Sequence, residues 1–335
     1  TNDGIPYHVL ASFSVWNYNG NPIPRLTIEA GTQILFQAGA GLQIGHLSDR
    51  GGDISAVGTL LEPIVFDAMS GLPGDWVGLY FDNGSDFGGS QSTLDYCEIN
   101  NAGGAGLGGS AGIALHLTQQ PTITNCSITN SAAHAINLDG IAHPALIQNL
   151  TISGNAVDAI AVAGHTLSVD QTFDSEGVPY EVLGDLFVWN YNGNPVPRLT
   201  IAPGNTLQFA SGAGIQIGSW SDRAGELYAV GTFADQITFT SSSGVTGGWD
   251  GIYFSNGSDF NTTSSTLEFC VIEKAGQTGW GYPAGVVCDN TYQPSITNSA
   301  IQNNDGYAVY LTGNSFPAMS SNIITGNTTD ATAVA

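Results

Sequence analysis

The chain alternates apolar and small polar residues over short stretches, and each stretch ends at a turn. The pattern is clearest in residues 112–117, 134–138 and 158–162. Alternation with a period of two predicts β-strands with one buried face, and the Asn, Gly and Asp residues between the stretches predict tight turns. Because the sequence shows no sustained helical periodicity, we expect an all-β protein.

The strand segments recur at a regular distance. Ile113, Ile136 and Ile160 occupy equivalent positions and are 23 and 24 residues apart. Short strands at this spacing predict a coil of about three strands per turn, whose successive turns stack as parallel sheets. At about 23 residues a coil, the chain predicts a parallel β-helix of roughly 14 coils. The alternative is a pair of β-sandwiches, which does not require such a short period.

The sequence also contains a second, longer repeat. The segment VWNYNGNPIPRLTI at Val15–Ile28 returns as VWNYNGNPVPRLTI at Val188–Ile201, 173 positions later and with one difference. This internal duplication predicts two tandem β-helix modules. Because no Pro/Ser-rich linker separates them, we expect one continuous body. The predicted parts are module 1 at 1–163, a connection that continues the coil at 164–176, and module 2 at 177–335.

The charge balance is strongly acidic. The chain has 28 Asp and Glu residues against 5 Lys and Arg, and its net charge is −23. Such a surface repels nucleic acid and anionic lipid, and no apolar run reaches the length of a membrane span. We therefore expect no nucleic-acid partner and no membrane insertion. The acidity is consistent with cation binding, with a high-salt or extracellular setting, or simply with the solubility of a long polar surface.

Five consecutive segments of module 1 form a recognisable order. They are Arg25–Gly31, Ile34–Phe36, Gly58–Phe66, Gly74–Trp76 and Ile123–Ile128. This order resembles secreted bacterial right-handed parallel β-helix repeat proteins of the pectate-lyase-like fold. The resemblance covers nearly the whole chain, twice, and implies an extracellular or cell-surface location. It implies no single function, since the fold hosts polysaccharide lyases, glycosidases, adhesins and passive stalks.

The arginines favour structure over catalysis. Lyases of this fold, as the resemblance implies, use an Arg or Lys base in a cationic groove, often with calcium. Here the four arginines form two duplicated pairs, Arg25 with Arg198 and Arg50 with Arg223, which indicates a structural role. Because Arg50 lies between Asp49 and Asp53, we expect a local ion pair that closes a turn.

We assign no catalytic residue. The Asn-Thr-Asp, Asp-Asp, Gly-His-Gly and Arg-Ile-Lys motifs of polygalacturonase-like hydrolases do not occur in the sequence. A 23-residue coil would place His116 beside Asp139, which suggests a general base. No nucleophile is identifiable next to this pair, so a chance surface pair is the other interpretation.

Calcium is the only cofactor that the sequence suggests. Asp82, Asp86 and Asp259 lie in Asn- and Gly-containing turns that offer hard oxygen ligands. The spacing does not match an EF-hand or the nonapeptide calcium repeat. The alternative is that these residues form Asx-turns that close the coil.

Three aromatic residues are candidates for carbohydrate binding. Trp220, Trp280 and Tyr282 occur only in module 2. Aromatic faces stack on apolar faces of ligands, and an exposed loop at 280–282 would form a platform for a sugar. The alternative is that these rings pack over the coil at a turn.

Two cysteines are expected to stack. Cys97 and Cys126 hold the same position in neighbouring strand units, so adjacent coils would place them about 4.8 Å apart. That distance permits a disulfide or a ladder of buried thiols, and we favour unbridged thiols. Cys270 faces Ser299 in the same scheme, so that pair cannot form a bridge.

The leading functional hypothesis is a non-enzymatic extracellular β-helix that serves as a stalk, an adhesin or a self-stacking filament segment. The alternative is a polysaccharide-binding or polysaccharide-degrading protein. The chain starts and stops near module boundaries without a capping helix. We therefore expect a longer tandem array or end-to-end stacking of copies, since open coil ends are sheet edges. The expected partners are the protein itself or glycans.

Overall fold

The structure is a computed structural model that describes residues 4–19 and 22–335. Residues 1–3, 20 and 21 lie outside the described residues, so the start of module 1 and the middle of the first repeated segment are described only in part. The chain forms two compact units, Thr1–Ala161 and Val162–Ala335. The connection predicted at 164–176 itself carries two short strands of unit 2.

Unit 1 consists of short strands and one 3-10 helix at Asn83–Gly89. The strands are β1 (Tyr7–Val9), β2 (Phe13–Val15), β3 (Asn17–Tyr18), β4 (Arg25–Ile28), β5 (Gln33–Phe36), β6 (Leu42–Ile44), β7 (Arg50–Gly51), β8 (Asp53–Val57), β9 (Ile64–Ala68), β10 (Leu79–Phe81), β11 (Thr93–Asp95), β12 (Cys97–Asn100), β13 (Ala111–His116), β14 (Thr122–Thr124), β15 (Ser127–Thr129), β16 (His134–Asp139), β17 (Leu146–Gln148), β18 (Thr151–Ser153) and β19 (Val157–Val162).

Unit 2 repeats this composition, with its 3-10 helix at Asn256–Thr262. The strands are β20 (His165–Leu167), β21 (Gln171–Phe173), β22 (Tyr180–Val182), β23 (Leu186–Val188), β24 (Asn190–Tyr191), β25 (Arg198–Ile201), β26 (Thr206–Phe209), β27 (Ile215–Ile217), β28 (Arg223–Ala224), β29 (Glu226–Val230), β30 (Ile237–Ser241), β31 (Ile252–Phe254), β32 (Thr266–Glu268), β33 (Cys270–Glu273), β34 (Ala284–Asp289), β35 (Ser295–Thr297), β36 (Ala300–Gln302), β37 (Tyr307–Thr312), β38 (Ala318–Ser320), β39 (Ile323–Thr325) and β40 (Thr329–Val334).

Each unit is built from three parallel sheets, to which every coil adds one strand. In unit 1 the first sheet has the order β1-β5-β9-β12-β15-β18, the second β4-β8-β11-β14-β17 and the third β2-β6-β10-β13-β16-β19. In unit 2 the corresponding orders are β22-β26-β30-β33-β36-β39, β21-β25-β29-β32-β35-β38 and β20-β23-β27-β31-β34-β37-β40. The predicted right-handed parallel β-helix is therefore confirmed.

The coils are less uniform than the sequence period suggested. Ile113 pairs with Ile136, which gives the predicted 23-residue coil. Earlier in unit 1, however, Leu42 pairs with Leu79, which makes that coil 37 residues long. The extra residues form longer corners, so a uniform 23-residue coil is wrong for the first part of each unit. Each unit has six or seven coils, so the two units together have slightly fewer than the roughly 14 coils predicted for the chain.

The core is a set of ladders that run from coil to coil. Leu42, Leu79, Ile113 and Ile136 stack in register inside the third sheet of unit 1, and none is more than 1% exposed. Because side chains alternate across a strand, the intervening polar residues face outward. This alternation is what places functional side chains on the outer face of the same sheet.

The arginine of the repeated segment pairs with a carboxylate of the next coil. The parallel register sets Arg25 opposite Asp53, and the guanidinium donates two hydrogen bonds of 2.8 Å to the carboxylate. The Asp53 side chain is only 4% exposed. In unit 2, Arg198 Nε donates to Glu226 Oε2 at 2.7 Å. Both units therefore use this arginine to link two neighbouring coils through an ion pair.

Arg50 forms a local ion pair with Asp49, as expected, and in addition a contact that the sequence did not predict. Its Nε lies 3.8 Å from Asp49, but Asp53 is already paired with Arg25, so Arg50 does not bridge two carboxylates. The antiparallel pairing of β3 with β7 instead sets Tyr18 opposite Arg50. The guanidinium lies over the rings of Trp16 and Tyr18, 5.0 and 4.5 Å from their centroids. This is a cation–π contact, which we call the arginine clamp.

Unit 2 contains the same clamp. The Arg223 guanidinium lies 4.6 Å from the Trp189 centroid and 4.4 Å from the Tyr191 centroid, and it donates a hydrogen bond to the Tyr191 hydroxyl at 3.0 Å. The repeated VWNY residues therefore hold an arginine of the following coil in place. Repetition of this contact explains why the segment is nearly identical in both copies.

The four cysteines are buried free thiols, as favoured from the sequence. Cys97 and Cys126 lie on adjacent coils, and the Cys97 N–H donates to Cys126 Sγ at 3.4 Å. Hydrogen bonding to the Cys126 thiol, together with burial, raises the pKa of Cys97. The Cys270 N–H donates to Ser299 Oγ at 3.0 Å, which confirms that predicted pair.

Within residues 4–19 and 22–335 the structure contains no helix with the length and apolar character that a membrane span needs.

Candidate functional site

The outer face of the third sheet in unit 2 carries a row of one polar, one aliphatic and two aromatic residues. Gln216, Tyr253, Val287 and Tyr310 occupy matching positions on β27, β31, β34 and β37. Their neighbours along each strand point into the core. The row therefore forms a flat, ordered surface on rigid strands, which is the kind of support that a binding site needs.

A loop at 275–283, here called the aromatic loop, lies over this row. The Trp280 ring stacks on Tyr253 with centroids 5.6 Å apart and planes 17° from parallel. Trp280 Nε1 also donates to the Gly251 carbonyl at 3.4 Å. The Tyr282 ring stacks on Tyr310 at 4.4 Å and 21°. Both loop residues are half-buried, so each packs over the coil and stays partly accessible.

Trp220 supplies the opposite wall of a groove. It lies in the turn between β27 and β28, and it is 72% exposed. Between Trp220 and Trp280 runs an open groove of about 510 Å³, here called the aromatic groove. Its lining residues are Gln216, Ser219, Trp220, Tyr253, Ser255, Asn256, Gly279, Trp280 and Asp289. Tyr282 is not among them, because it packs on Tyr310 instead.

Polar groups converge on the floor of the aromatic groove. The Tyr253 hydroxyl donates to Asp289 Oδ2 at 2.7 Å. Burial, reinforced by the Asp289 hydrogen bond, raises the pKa of Tyr253, so this hydroxyl keeps its proton. Gln216 Nε2 donates to the Gly218 carbonyl at 2.9 Å, which fixes the amide. A carboxylate, a hydroxyl and an amide between two indoles are suited to orienting a hydroxylated ring.

Unit 1 lacks the two walls of this groove. Leu47 and Leu107 stand at the positions of Trp220 and Trp280, whereas Gln43 and Tyr80 match Gln216 and Tyr253. The two units therefore share the sheet and differ in the side chains that project from its loops.

Unit 1 carries His–Asp pairs on the corresponding face. His116 pairs with Asp139 across β13 and β16, with Nδ1 and Oδ2 2.8 Å apart, as predicted from the 23-residue coil. His46 Nδ1 lies 3.2 Å from Asp82 Oδ2. Asp289, which lines the groove of unit 2, stands at the position of His116.

The carboxylates suggested for calcium accept hydrogen bonds from the protein. Asp82 caps the 3-10 helix, with Oδ1 accepting from the Asn83 N–H at 2.9 Å. Asp86 accepts from Thr118 Oγ1 at 2.8 Å, and Asp259 accepts from the Tyr292 N–H at 2.8 Å. The described ranges hold no group of three or more His, Cys, Asp or Glu side chains that could ligate a metal. The geometry thus favours turn closure at these aspartates.

Sequence reasoning identified part of this site. Trp220 and Trp280 were found because they break the duplication, and the structure brings them to one groove. Tyr253, Gln216 and Asp289 were missed, because their convergence depends on the register between coils of unequal length. The signal that could have found Asp289 is its replacement of His116 at a duplicated position.

This geometry defines the class of protein, which is a parallel β-helix with an aromatic groove on one sheet. A family model described as "Right handed beta helix region" matches residues 73–174 and 200–335, which together exceed half of the chain. The chain therefore belongs to the right-handed β-helix family. Neither the curated proteins nor the solved structures gave a match.

Proposed function

We propose that the protein is a non-enzymatic, glycan-binding β-helix module that acts as an adhesive element outside the cell, with unit 2 holding the glycan in the aromatic groove. The observation that carries this proposal is that Trp220 and Trp280, from different loops, face one groove. Both residues belong to one copy of the duplication, so the groove is an addition to the shared scaffold.

The chemistry of the groove favours a saccharide. Indole faces stack on the C–H faces of sugar rings, and each aromatic contact is worth about 0.5–1.5 kcal/mol. Asp289 and Tyr253 provide an acceptor and a hydroxyl for the equatorial groups of such a ring. Because the net charge is −23, a neutral or cationic glycan is favoured over a polyuronate.

A purely structural role, as a stalk or a self-stacking filament segment, is the second candidate. It is supported by the arginine clamp, which is built in both units, whereas the groove tryptophans occur in unit 2 alone. Light scattering distinguishes the two roles, since self-stacking requires a mass that grows with protein concentration. A monomer that binds glycan would support the adhesive function without a filament.

The test of glycan binding is a glycan array followed by titration calorimetry on the glycans retained. We expect Trp220→Ala and Trp280→Ala each to weaken binding by about 2- to 10-fold, the loss of one stacking contact. Phe233→Ala is the matched control, because Phe233 is 88% exposed in unit 2 but outside the groove. Retained affinity in both tryptophan variants would overturn the proposal.

The non-enzymatic part of the proposal has a separate test. Retained glycans are incubated with the protein and assayed for new reducing ends and for the absorbance of unsaturated products. We expect neither signal above that of the Trp280→Ala variant. Product formation would assign the groove to polysaccharide degradation.

A further inference from the structure

A second groove lies on the other side of the aromatic loop. It has a volume of about 610 Å³, and Gly279 lines both grooves. Three carboxylates line this second groove, here called the acidic groove. Its lining residues are Asp185, Gly212, Gly247, Asp250, Gly276, Gln277, Thr278, Gly279 and Asp305.

Asp250 is the most buried of the three carboxylates. The residue is 4% exposed, and its Oδ1 accepts one hydrogen bond, from the Gly279 N–H at 3.1 Å. Its Oδ2 accepts none from the described residues. Glycine at 279 leaves that oxygen uncovered, because a Cβ there would lie 1.9 Å from Asp250 Oδ2. The loop therefore leaves one oxygen of a largely buried carboxyl group without a donor at the groove.

Asp185 adds a second carboxyl group with an oxygen that lacks a donor, although a backbone hydrogen bond from Gly214 reaches this group. Its Oδ1 is buried and has no hydrogen-bond partner. Burial, and then the charge of Asp250, raise the pKa of Asp185, and burial raises the pKa of Asp250. Two carboxylates in one groove, short of donors and close enough to interact, are stabilised by a ligand that supplies N–H donors and a positive charge.

The three carboxylates of the acidic groove have no acidic counterparts in unit 1. Asp185, Asp250 and Asp305 stand where unit 1 has Ser12, Val77 and Ala132, none of which is charged. A buried carboxylate in place of Val77 carries a desolvation cost that the scaffold itself does not require. The three acids accompany Trp220 and Trp280 in the same copy, which links the two grooves functionally.

We propose that the acidic groove holds the protonated primary amine of an amino sugar while a neighbouring ring of the same glycan stacks on Trp280. This inference rests on the proposed glycan-binding function and adds the class of ligand. An ammonium group offers three N–H donors and one positive charge, which matches the unpartnered oxygens of Asp185 and Asp250. A sugar hydroxyl supplies a donor but leaves both carboxylates charged.

A lysine-rich peptide or a polyamine presents the same ammonium chemistry. The glycan is favoured because the acidic groove adjoins the aromatic groove through Gly279, so an amine and a ring face are recognised side by side. Peptide and polyamine binding therefore serve as arms of the test.

The test compares two oligosaccharides of equal length by calorimetry, a glucosamine oligomer and its N-acetylated form, below the pKa of the amine. We expect the free-amine oligomer to bind at least about 10-fold tighter, as charge-assisted hydrogen bonds to a buried carboxylate do. Asp185→Asn and Asp250→Asn should abolish this preference and leave binding of the acetylated oligomer unchanged. Asp174→Asn is the matched control, because burial raises the pKa of Asp174 outside both grooves.

The outcomes separate this inference from the proposed function. Equal binding of both oligomers would overturn the amine site and leave glycan binding intact. Binding of spermine or polylysine as tight as that of the glucosamine oligomer, and unaffected by Trp280→Ala, would assign the groove to cations in general. Competition by Ca²⁺ would assign it to a metal. Circular dichroism of each Asn variant confirms that a lost preference does not reflect unfolding.

Discussion

At the scale of the residue, the buried carboxyl of Asp250 sets a pH dependence. Burial raises its pKa in the folded state above the ordinary value of about 3.9. The folded protein then binds a proton more tightly than the unfolded chain does. The contribution of Asp250 is therefore fully present at low pH and is lost as the pH rises through the folded-state pKa.

The substitution Asp250→Asn should remove this loss of stability with rising pH. We expect the variant to have a higher midpoint of thermal unfolding than the wild type at neutral pH, and a similar midpoint near the pKa of an unfolded carboxyl, about pH 4. The measurement is a set of thermal melts across this range. If the difference between the two proteins does not depend on pH, the folded-state pKa of Asp250 is not raised.

Asp158 provides a control, because its effect on stability should depend on pH in the opposite direction. Although burial opposes it, hydrogen bonds from Asn155 and from the N–H of Gly154 lower the pKa of Asp158. Its contribution to stability is therefore present at neutral pH and lost on acidification. Asp158→Asn should lower the midpoint at neutral pH, whereas Asp250→Asn raises it.

At the scale of the element, the pairing of β4 with β8 depends on Arg25. Arg25→Met would leave the Asp53 carboxylate, which is 4% exposed, without its charged partner. We expect the free energy of unfolding in urea to fall, because a buried acceptor would be left unpaired. The double variant Arg25→Met/Asp53→Asn should recover part of this loss, because it removes the orphaned charge.

Asp49→Asn is the matched control for an exposed partner. Asp49 is the carboxylate nearest to Arg50, at 3.8 Å, and its side chain is 57% exposed. Because cation–π contacts with Trp16 and Tyr18 hold Arg50, we expect a change within about 0.5 kcal/mol. A loss as large as that of Arg25→Met would show that the ion pair, and not the clamp, fixes Arg50.

The elements that the sequence predicted best are the strands in which apolar and polar residues alternate. The strands around Ile113 and Ile136 belong to short coils, so their register could be read from the spacing. The coil from Leu42 to Leu79 could not be read in this way, because it includes the corner that holds Arg50. Corner length is not encoded in the apolar and polar alternation of the strands.

The same limit explains what was missed in the site. Arg25 pairs with Asp53 and Tyr253 bonds Asp289 only because the coil lengths bring them into register. Trp220 and Trp280 needed no register, since comparison of the two copies was enough to single them out. Differences between duplicated positions were therefore a better guide to the residues of the candidate site than any motif.

At the scale of the whole molecule, unit 1 repeats the sheet that underlies the aromatic groove but has leucines at the positions of its two tryptophans. A Cβ on Gly41 would lie 2.9 Å from Leu107 Cδ1, as a Cβ on Gly214 would lie 2.8 Å from Trp280 Nε1. The two loops thus cover equivalent glycines.

We expect the double variant Leu47→Trp/Leu107→Trp to gain a groove on unit 1 and to raise the glycan stoichiometry from about one toward two. Calorimetry with a short glycan measures it. Leu61→Trp is the control, because Leu61 is 90% exposed in unit 1 and does not belong to the third sheet. An unchanged stoichiometry in the double variant would show that Asp289 or other residues of unit 2 are indispensable.

Calcium dependence is also a property of the whole molecule. Because Asp82, Asp86 and Asp259 accept hydrogen bonds from protein donors, we expect a chelator to leave the midpoint of thermal unfolding unchanged. The check is a melt with chelator, and a second melt after Ca²⁺ is restored. A fall in the midpoint that Ca²⁺ reverses would restore the calcium hypothesis.

The exposure of the tryptophans has an optical consequence. Trp76 and Trp249 are 0% exposed and donate to backbone carbonyls, whereas Trp220 is 72% exposed. Indole fluorescence shifts to the red in water, so the emission of the native protein contains a blue component from the core and a red one from the groove. A bound ligand that excludes water from Trp220 would shift only the red component. The emission of Trp220 would therefore report whether a ligand occupies the aromatic groove, and the emission of the buried tryptophans would serve as an internal reference.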